Sequence, residues 1–300
     1  MLKVAYSPIY HVTLPEGHRF PMAKYELLPM QLVHEGILDE DCFFEPTVLD
    51  EPTILLTHTP DYVTRMLTLT LSEREIREIG FPIHEAFVRR TRAIAQGTIQ
   101  GALYAMQYGC AMNAAGGTHH AFAYKGGGFC LFNDVAIAAN YLLHSNIVKK
   151  ILIVDLDVHQ GDGTAQIFEN QPLVFTFSMH GEKNYPFRKQ KSDLDIGLPD
   201  ACDDATFLTT LQAHLPRLIQ TVQPDLVFYL AGVDVLETDK LGRLSLSQDG
   251  CRQRDKYVFE QCKLNRIPVV AAMAGGYSER ISDIVNAHVN TYKMALEVFF

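Results

Sequence analysis

Four times along this chain an unbroken apolar run stops abruptly at a polar, glycine-bearing turn. Cys110–Asn113 leads into Gly116-Gly-Thr-His119-His120, and Ile151–Val154 leads into Asp155-Leu-Asp157-Val-His159-Gln-Gly-Asp162. Leu226–Leu230 leads into Ala231-Gly-Val-Asp234, and Pro268–Met273 into Ala274-Gly-Gly-Tyr277. A strand that is apolar without alternation is buried on both faces, as in a parallel sheet covered by helices on each side. Lys3–Tyr6 and Leu173–Phe177 read as further strands. Helical patterns lie at Glu85–Tyr108, Asp134–Ser145, Asp204–Val222 and Ser247–Lys263, with Gly109 closing one and Pro224 another. The charged segment Ser72–Ile79 reads as a short solvated helix. The fold class is therefore α/β, three-layered, around a mainly parallel sheet. No linker or repeat divides residues 1–300, so one domain is expected.

Open α/β sheets place their sites beyond the carboxyl ends of the strands, and all four polar turns would meet there. In extended chain, alternate residues share a face, so Asp155, Asp157 and His159 are expected to point the same way. Burying two carboxylates and an imidazole together is unfavourable unless something binds them, and a divalent cation does so. Asp157, His159 and Asp234 offer two carboxylate oxygens and one imidazole nitrogen. Three protein ligands leave a position open for water on Zn²⁺, and Fe²⁺ or Mn²⁺ accepts such a set too. Each residue alone reads equally well as a capping aspartate or a core histidine; the third ligand after a separate strand is what favours the metal.

His119 and His120 are suited to carrying protons near neutral pH. Each needs an orienting group on its far nitrogen: Asp155 is assigned to His119, and Asp162 to His120. Tyr277 can donate to a substrate carbonyl as it gains charge. Gly126-Gly-Gly-Phe129-Cys130 reads either as a flexible turn or as backbone drawn close to a narrow channel walled by Phe129.

The chain is 47% hydrophobic and 20% charged, enough for a sizeable core, and its net charge of -9 argues against nucleic acid as a direct partner. No apolar run reaches the ~18 residues of a membrane span, and Met1–Tyr6 reads as a first strand and not as a signal peptide. No membrane partner and a cytoplasmic location are therefore expected, and six scattered cysteines without a C-x-x-C pair read as reduced thiols.

Taken in order, Gly-Gly-x-His-His, Gly-Gly-Phe-Cys-x-x-Asn-Asp, Asp-x-Asp-x-His-x-Gly-Asp-Gly, Ala-Gly-x-Asp and Gly-Gly-Tyr resemble the zinc-dependent histone deacetylase superfamily, from about Tyr6 to about Ile284. Gly126–Cys130, Asp157-Val-His159-Gln-Gly and Asp239-Lys-Leu-Gly-Arg-Leu-Ser-Leu246 look closest to class IV members and their bacterial relatives. The resemblance implies an arginase-like fold around an eight-stranded sheet, and hydrolysis of acetyl or longer acyl amides of lysine in proteins or peptides. It implies zinc on Asp157, His159 and Asp234, with His120 as base and then acid and His119 as its electrostatic partner. Tyr277 would polarise the carbonyl. Gly128, Phe129 and Leu241 would line the acyl-lysine channel. A structural K⁺ or Na⁺ would sit on Asp155, Asp157, His159, Ser178 and Met179. Ala274 departs from the pattern, standing where many relatives have glycine. His180–Asp193 also differs, so either Tyr185 or Phe187 is the second aromatic wall. Leu241 replaces the acidic gate of acetylpolyamine-selective members and favours a neutral acyl-lysine. A small acylated amine is the alternative substrate. A non-catalytic acyl-lysine binder is disfavoured because every expected catalytic residue is present. Ureohydrolase chemistry is disfavoured too, since a two-manganese site needs more carboxylates.

Overall fold

The computed structural model describes residues 1–300. One sheet of eight strands, all paired in parallel, runs through the molecule. The strands are β1 (Lys3–Ala5), β2 (Phe43–Phe44), β3 (Cys110–Asn113), β4 (Ile151–Asp155), β5 (Val174–Gly181), β6 (Leu194–Leu198), β7 (Leu226–Leu230) and β8 (Val269–Ala272). Their order is β2-β1-β3-β8-β7-β4-β5-β6. The four apolar runs are the four central strands, β3, β8, β7 and β4, and every residue in them is buried.

Ten helices flank the sheet: α1 (Lys24–His34), α2 (Glu51–Ile54), α3 (Pro60–Leu67), α4 (Glu73–Ile79), α5 (Glu85–Tyr108), α6 (Asp134–His144), α7 (Asp162–Phe168), α8 (Asp204–Val222), α9 (Gln248–Leu264) and α10 (Ile281–Phe299). Parallel crossovers are right-handed. The chain steps one way along the sheet through β3, β4 and β5, then back through β7 and β8. That reversal puts α5, α6 and α7 on one face and α8 and α9 on the other. The contacts agree: α5 packs on α6, while α9 packs on both α8 and α10.

The reversal also locates the site. Chain leaving β3 and β4 goes to one face, and chain leaving β7 and β8 goes to the other. In the order β3-β8-β7-β4 this makes two places where neighbouring strands part company, and such crevices take ligands.

The bounds of β3, β7, α5 and α8 are those the sequence predicts. Four strands shift: β1 stops at Ala5, β4 gains Asp155, β5 starts at Val174 and runs on to Gly181, and β8 loses Pro268 and Met273. Helix α6 stops at His144, and Ser247 caps α9 instead of belonging to it. The short helix at Ser72 is α4, closed by a capping box between Ser72 and Glu75. The strands β2 and β6 and the helices α1, α2, α3, α7 and α10 are additional to the elements that the sequence pattern predicts. β6 is an edge strand with alternate exposure and so has no continuous apolar run. α1 carries Pro29 in its interior, a residue that normally argues against a helix.

Candidate active site

The backbone leaves the sheet directly after Asp155, so the expected extended alternation through His159 does not hold. Aspartate side chains take over from the ladder. Asp155 Oδ1 accepts from the Asp157 N–H at 3.2 Å, and Asp157 Oδ1 accepts from the His159 N–H at 2.9 Å. These local turns, available to Asp and not to apolar residues, separate three side chains that a straight strand would have aligned. Asp155 faces His119, whereas Asp157 and His159 face Asp234.

His159 Nδ1 lies 3.1 Å from Asp157 Oδ1 and 3.2 Å from Asp234 Oδ2. Donor atoms of these three buried residues fall within 4.8 Å of one another, a grouping able to hold a metal ion. The remaining carboxylate oxygens are fixed by backbone: Asp157 Oδ2 accepts from Gly275 N–H at 2.8 Å and Asp234 Oδ1 from Val158 N–H at 3.0 Å. Glycine at 275 is obligatory, because a Cβ there would collide with the Asp234 carboxylate. Burial and the facing Asp157 carboxylate push Asp234 well above the usual carboxylate range. Burial opposes charge on Asp157 as well, but His119 and His159 outweigh it and hold Asp157 ionised. Two buried carboxylates turned on each other in this way call for a cation.

A buried arginine inside α9 anchors the turns below this cluster. Arg254 of α9 is fully buried and donates to the carbonyls of Gly232, at 2.7 Å, and Leu156, at 3.3 Å. It also pairs with Asp255 at 2.8 Å, and Tyr229 and Thr291 donate to the same carboxylate. One guanidinium thus ties the turn after β4 to the turn after β7. No periodicity or motif marks this residue in the sequence.

Beside the triad stand the two histidines of the loop after β3. His119 Nδ1 is 2.7 Å from Asp155 Oδ2, and His120 Nδ1 is 2.6 Å from Asp162 Oδ1, as assigned. Burial opposes charging His119, yet Asp155 and Asp157 raise it to about 9. Burial and the neighbouring His119 push His120 down to about 4 in spite of Asp162.

Tyr277 follows β8. Its half-buried ring lies 6.2 Å from that of His159 and 5.9 Å from that of Phe129, centroid to centroid. Burial and the carboxylates of Asp157 and Asp234 keep its phenol protonated. Asp239 sets the approach of this residue. Its carboxylate accepts from Tyr277 N–H at 2.6 Å, Leu241 N–H at 2.8 Å and Gly242 N–H at 2.9 Å. The departure at Ala274 is accommodated locally. Ala274 takes the left-handed φ of +53°, and its Cβ fills the space that Gly117 leaves empty.

A cavity of about 370 Å³ opens above these groups, with His120, His159 and Tyr277 among its lining and Gly128, Phe129, Tyr185 and Leu241 around it. Gly128 is also constrained: its φ is +50°, and a Cβ would strike the His120 ring. The open choice of second aromatic resolves in favour of Tyr185, whose ring centroid is 4.8 Å from His120, while Phe187 stands 91% exposed near the mouth. Of the residues suggested for a monovalent cation, Asp155 and Ser178 are register partners on β4 and β5, and Met179 follows in β5. The Asp157 and His159 side chains turn away toward Asp234. Ser178 Oγ bonds His180 Nδ1 at 2.9 Å.

With this geometry in hand, residues 18–292 match the histone deacetylase domain. The chain is 45% identical over 296 residues to an uncharacterized protein of Picosynechococcus sp., covering 99% of each. It is 28% identical over 296 residues to Histone deacetylase 2 of Arabidopsis thaliana, covering 95% of this chain and 76% of that one. In three dimensions it resembles an HDAC homolog solved in complex with SAHA, with a TM-score of 0.83, 24% identity, and 98% and 84% of the two chains covered. The HD domain of HDA15 shares the fold as well, at a TM-score of 0.82.

Proposed function

The chain belongs to the histone deacetylase family, and from that premise we propose that it hydrolyses the acyl amide of a lysine side chain in a protein or peptide. One observation carries the reading: two His–Asp pairs with opposite charge preferences stand beside Asp157, His159 and Asp234 at the floor of a cavity with aromatic walls.

Asp157, His159 and Asp234 would hold a metal, and their oxygen and nitrogen donors fit zinc, with ferrous iron second. Bound there, the cation would polarise the amide carbonyl and acidify water. His120, neutral and oriented by Asp162, takes the proton of the attacking water and passes it to the leaving lysine amine. His119, cationic against Asp155, stabilises negative charge that develops nearby. The Tyr277 phenol donates to the carbonyl oxygen as it gains charge. Gly128, Phe129, Leu241 and Tyr185 confine the acyl-lysine stem and keep water away from it. Asp155, Asp157, His159, Ser178 and the Met179 carbonyl would hold K⁺ or Na⁺, a reading supported by the pairing of Asp155 with Ser178 across β4 and β5.

Apolar Leu241 at the mouth favours a neutral acyl-lysine over a cationic acetylpolyamine. The test is a panel of acyl-lysine peptides, from acetyl to myristoyl, run beside acetylputrescine with and without chelator. Hydrolysis of peptide ahead of acetylputrescine, lost on chelation, is the expected result. Turnover that survives complete metal removal overturns the mechanism, and a preference for acetylputrescine overturns the substrate.

A further inference from the structure

We propose that the mouth of this cavity selects substrates whose residues flanking the acyl-lysine are acidic, an inference that rests on the deacylase reading above. The chain as a whole is acidic, with 26 Lys and Arg against 35 Asp and Glu. The cavity lining reverses that balance. Arg19, Lys183, Lys240 and Arg243 line it against the single carboxylate of Glu78.

Few of these cations are neutralised. Glu78 is taken by Arg74 at 2.9 Å. Lys183 and Arg243 share one carboxylate, Asp200, at 3.5 and 3.3 Å. Arg19 and Lys240 form no ion pair; the Arg19 guanidinium lies 5.1 Å from the Phe129 ring centroid. The four come from three separate segments, the N-terminal loop, the loop after β5 and the loop after β7, that meet at this cavity. The loop after β5 is also braced from within, since Lys189 Nζ donates to the carbonyls of Asn184 at 2.6 Å and Pro186 at 2.7 Å.

Two kinds of group share the lining. Phe129 and Tyr185 approach Tyr277 and His120 through their rings and suit an apolar acyl-lysine stem, whereas the four cations are exposed residues of the surrounding loops. Peptide residues advance by about 3.3–3.6 Å each in extended chain. Side chains one or two positions from the modified lysine therefore lie within the screening length of about 10 Å at 0.1 M salt. Complementary charge at that distance speeds encounter and sets preference, and like charge rejects. Exposed Phe187 offers an apolar contact beside the same rim.

The experiment uses three acetyl-lysine peptides of one sequence, with Glu, Gln or Lys at the flanking positions. Kd is read by fluorescence anisotropy and kcat/KM by product release. At low salt the Glu peptide is expected to bind about tenfold tighter than the Gln peptide and the Lys peptide weakest, the gap closing near ~0.5 M salt. The Lys240→Gln/Arg243→Gln double variant should shrink the Glu-to-Gln ratio severalfold. Equal binding of Glu and Gln peptides, tightest binding of the Lys peptide, or a ratio unmoved by salt and by the double variant overturns the proposal. A Glu preference without hydrolysis of any peptide supports the rim and sinks the hydrolase reading. Equal hydrolysis and equal binding of all three peptides does the reverse. A succinyl-lysine peptide serves as a further arm: a gain from the acidic acyl group larger than that from acidic flanks assigns the cations to the acyl group and overturns the proposal.

Discussion

His119 and His120 have ring centroids 4.1 Å apart, yet their surroundings drive them to opposite charge states. Carboxylates on two sides hold the first near 9, and burial beside that cation holds the second near 4. Adjacent residues of one type thereby acquire two jobs, which is how paired titratable groups divide acid and base work. His120→Ala is expected to lower kcat by about 10²–10⁴-fold, in the range of a lost general base. His119→Ala should cost less at neutral pH. Steady-state kinetics on an acetyl-lysine peptide, with metal content measured in each variant, decides; equal losses in the two would remove the division of labour.

Tyr277→Phe keeps the ring contacts with Phe20 and Phe129, each at 5.9 Å between centroids, and removes only the hydroxyl. A drop of about 10²–10³-fold in kcat is expected, as for loss of one oxyanion donor, with KM and bound metal close to the parent. A large change in KM instead would assign the phenol to ground-state binding.

Zinc should stabilise as well as activate, because it binds a preformed cluster that the unfolded chain lacks. The melting temperature of the chelated protein is expected to rise on titration with Zn²⁺, and the rise should vanish in Asp157→Ala/Asp234→Ala. An identical rise in that double variant would place the ion elsewhere.

His58 sets part of the acid stability. It is buried, its Nδ1 is 3.0 Å from Phe122 O, and its Nε2 accepts from the Asn133 N–H at 3.0 Å. Burial lowers it to about 4. Between about 6.5, its unfolded value, and about 4 the unfolded chain takes up a proton that the folded one refuses. Stability therefore falls with acidification through that window. His120 and His180 titrate with the same sign there. Urea denaturation from pH 7 to 4 should show a shallower decline in His58→Gln than in the parent; parallel declines would refute the assignment.

Arg254→Leu leaves the Asp255 carboxylate buried without its partner, a loss of about 3–5 kcal/mol by comparison with other broken buried pairs. Arg254→Leu/Asp255→Leu should recover part of it. The single variant should also weaken metal binding in a chelator competition, since the turns carrying Asp157 and Asp234 lose their common donor. Unchanged metal affinity in a folded variant would limit Arg254 to stability.

The central sheet was legible because β3, β4, β7 and β8 are buried on both faces, and a doubly buried strand has to be apolar along nearly all of its length, with Asn113 and Asp155 standing only at the ends of β3 and β4. The same constraint makes polar residues at their ends conspicuous, and the expected pairings of His119 with Asp155 and His120 with Asp162 follow from that. What stayed hidden depends on contacts between distant segments. Edge strand β6 is half solvated and alternates. Asp239 looks like a turn aspartate until its carboxylate is seen to hold three amides of two loops. Arg254 lies in a helix of ordinary polarity, and nothing local announces that it is wholly buried.

The strand order carries a consequence for synthesis. β3 and β4 are consecutive among the long strands of the first half, but β7 and β8 lie between them. A nascent chain that has made β1 to β6 therefore holds a two-strand gap, with unpaired apolar edges on β3 and β4. Such edges are the surfaces on which chains pair wrongly or aggregate. The gap closes only when the last two strands arrive, and their arrival brings Asp234 and Tyr277 to the residues already waiting. Completion of the sheet and completion of the active site therefore go together: a truncated product that ends before β7 leaves the β3 and β4 edges open and also lacks Asp234, so a metal has no complete triad through which to stabilise it.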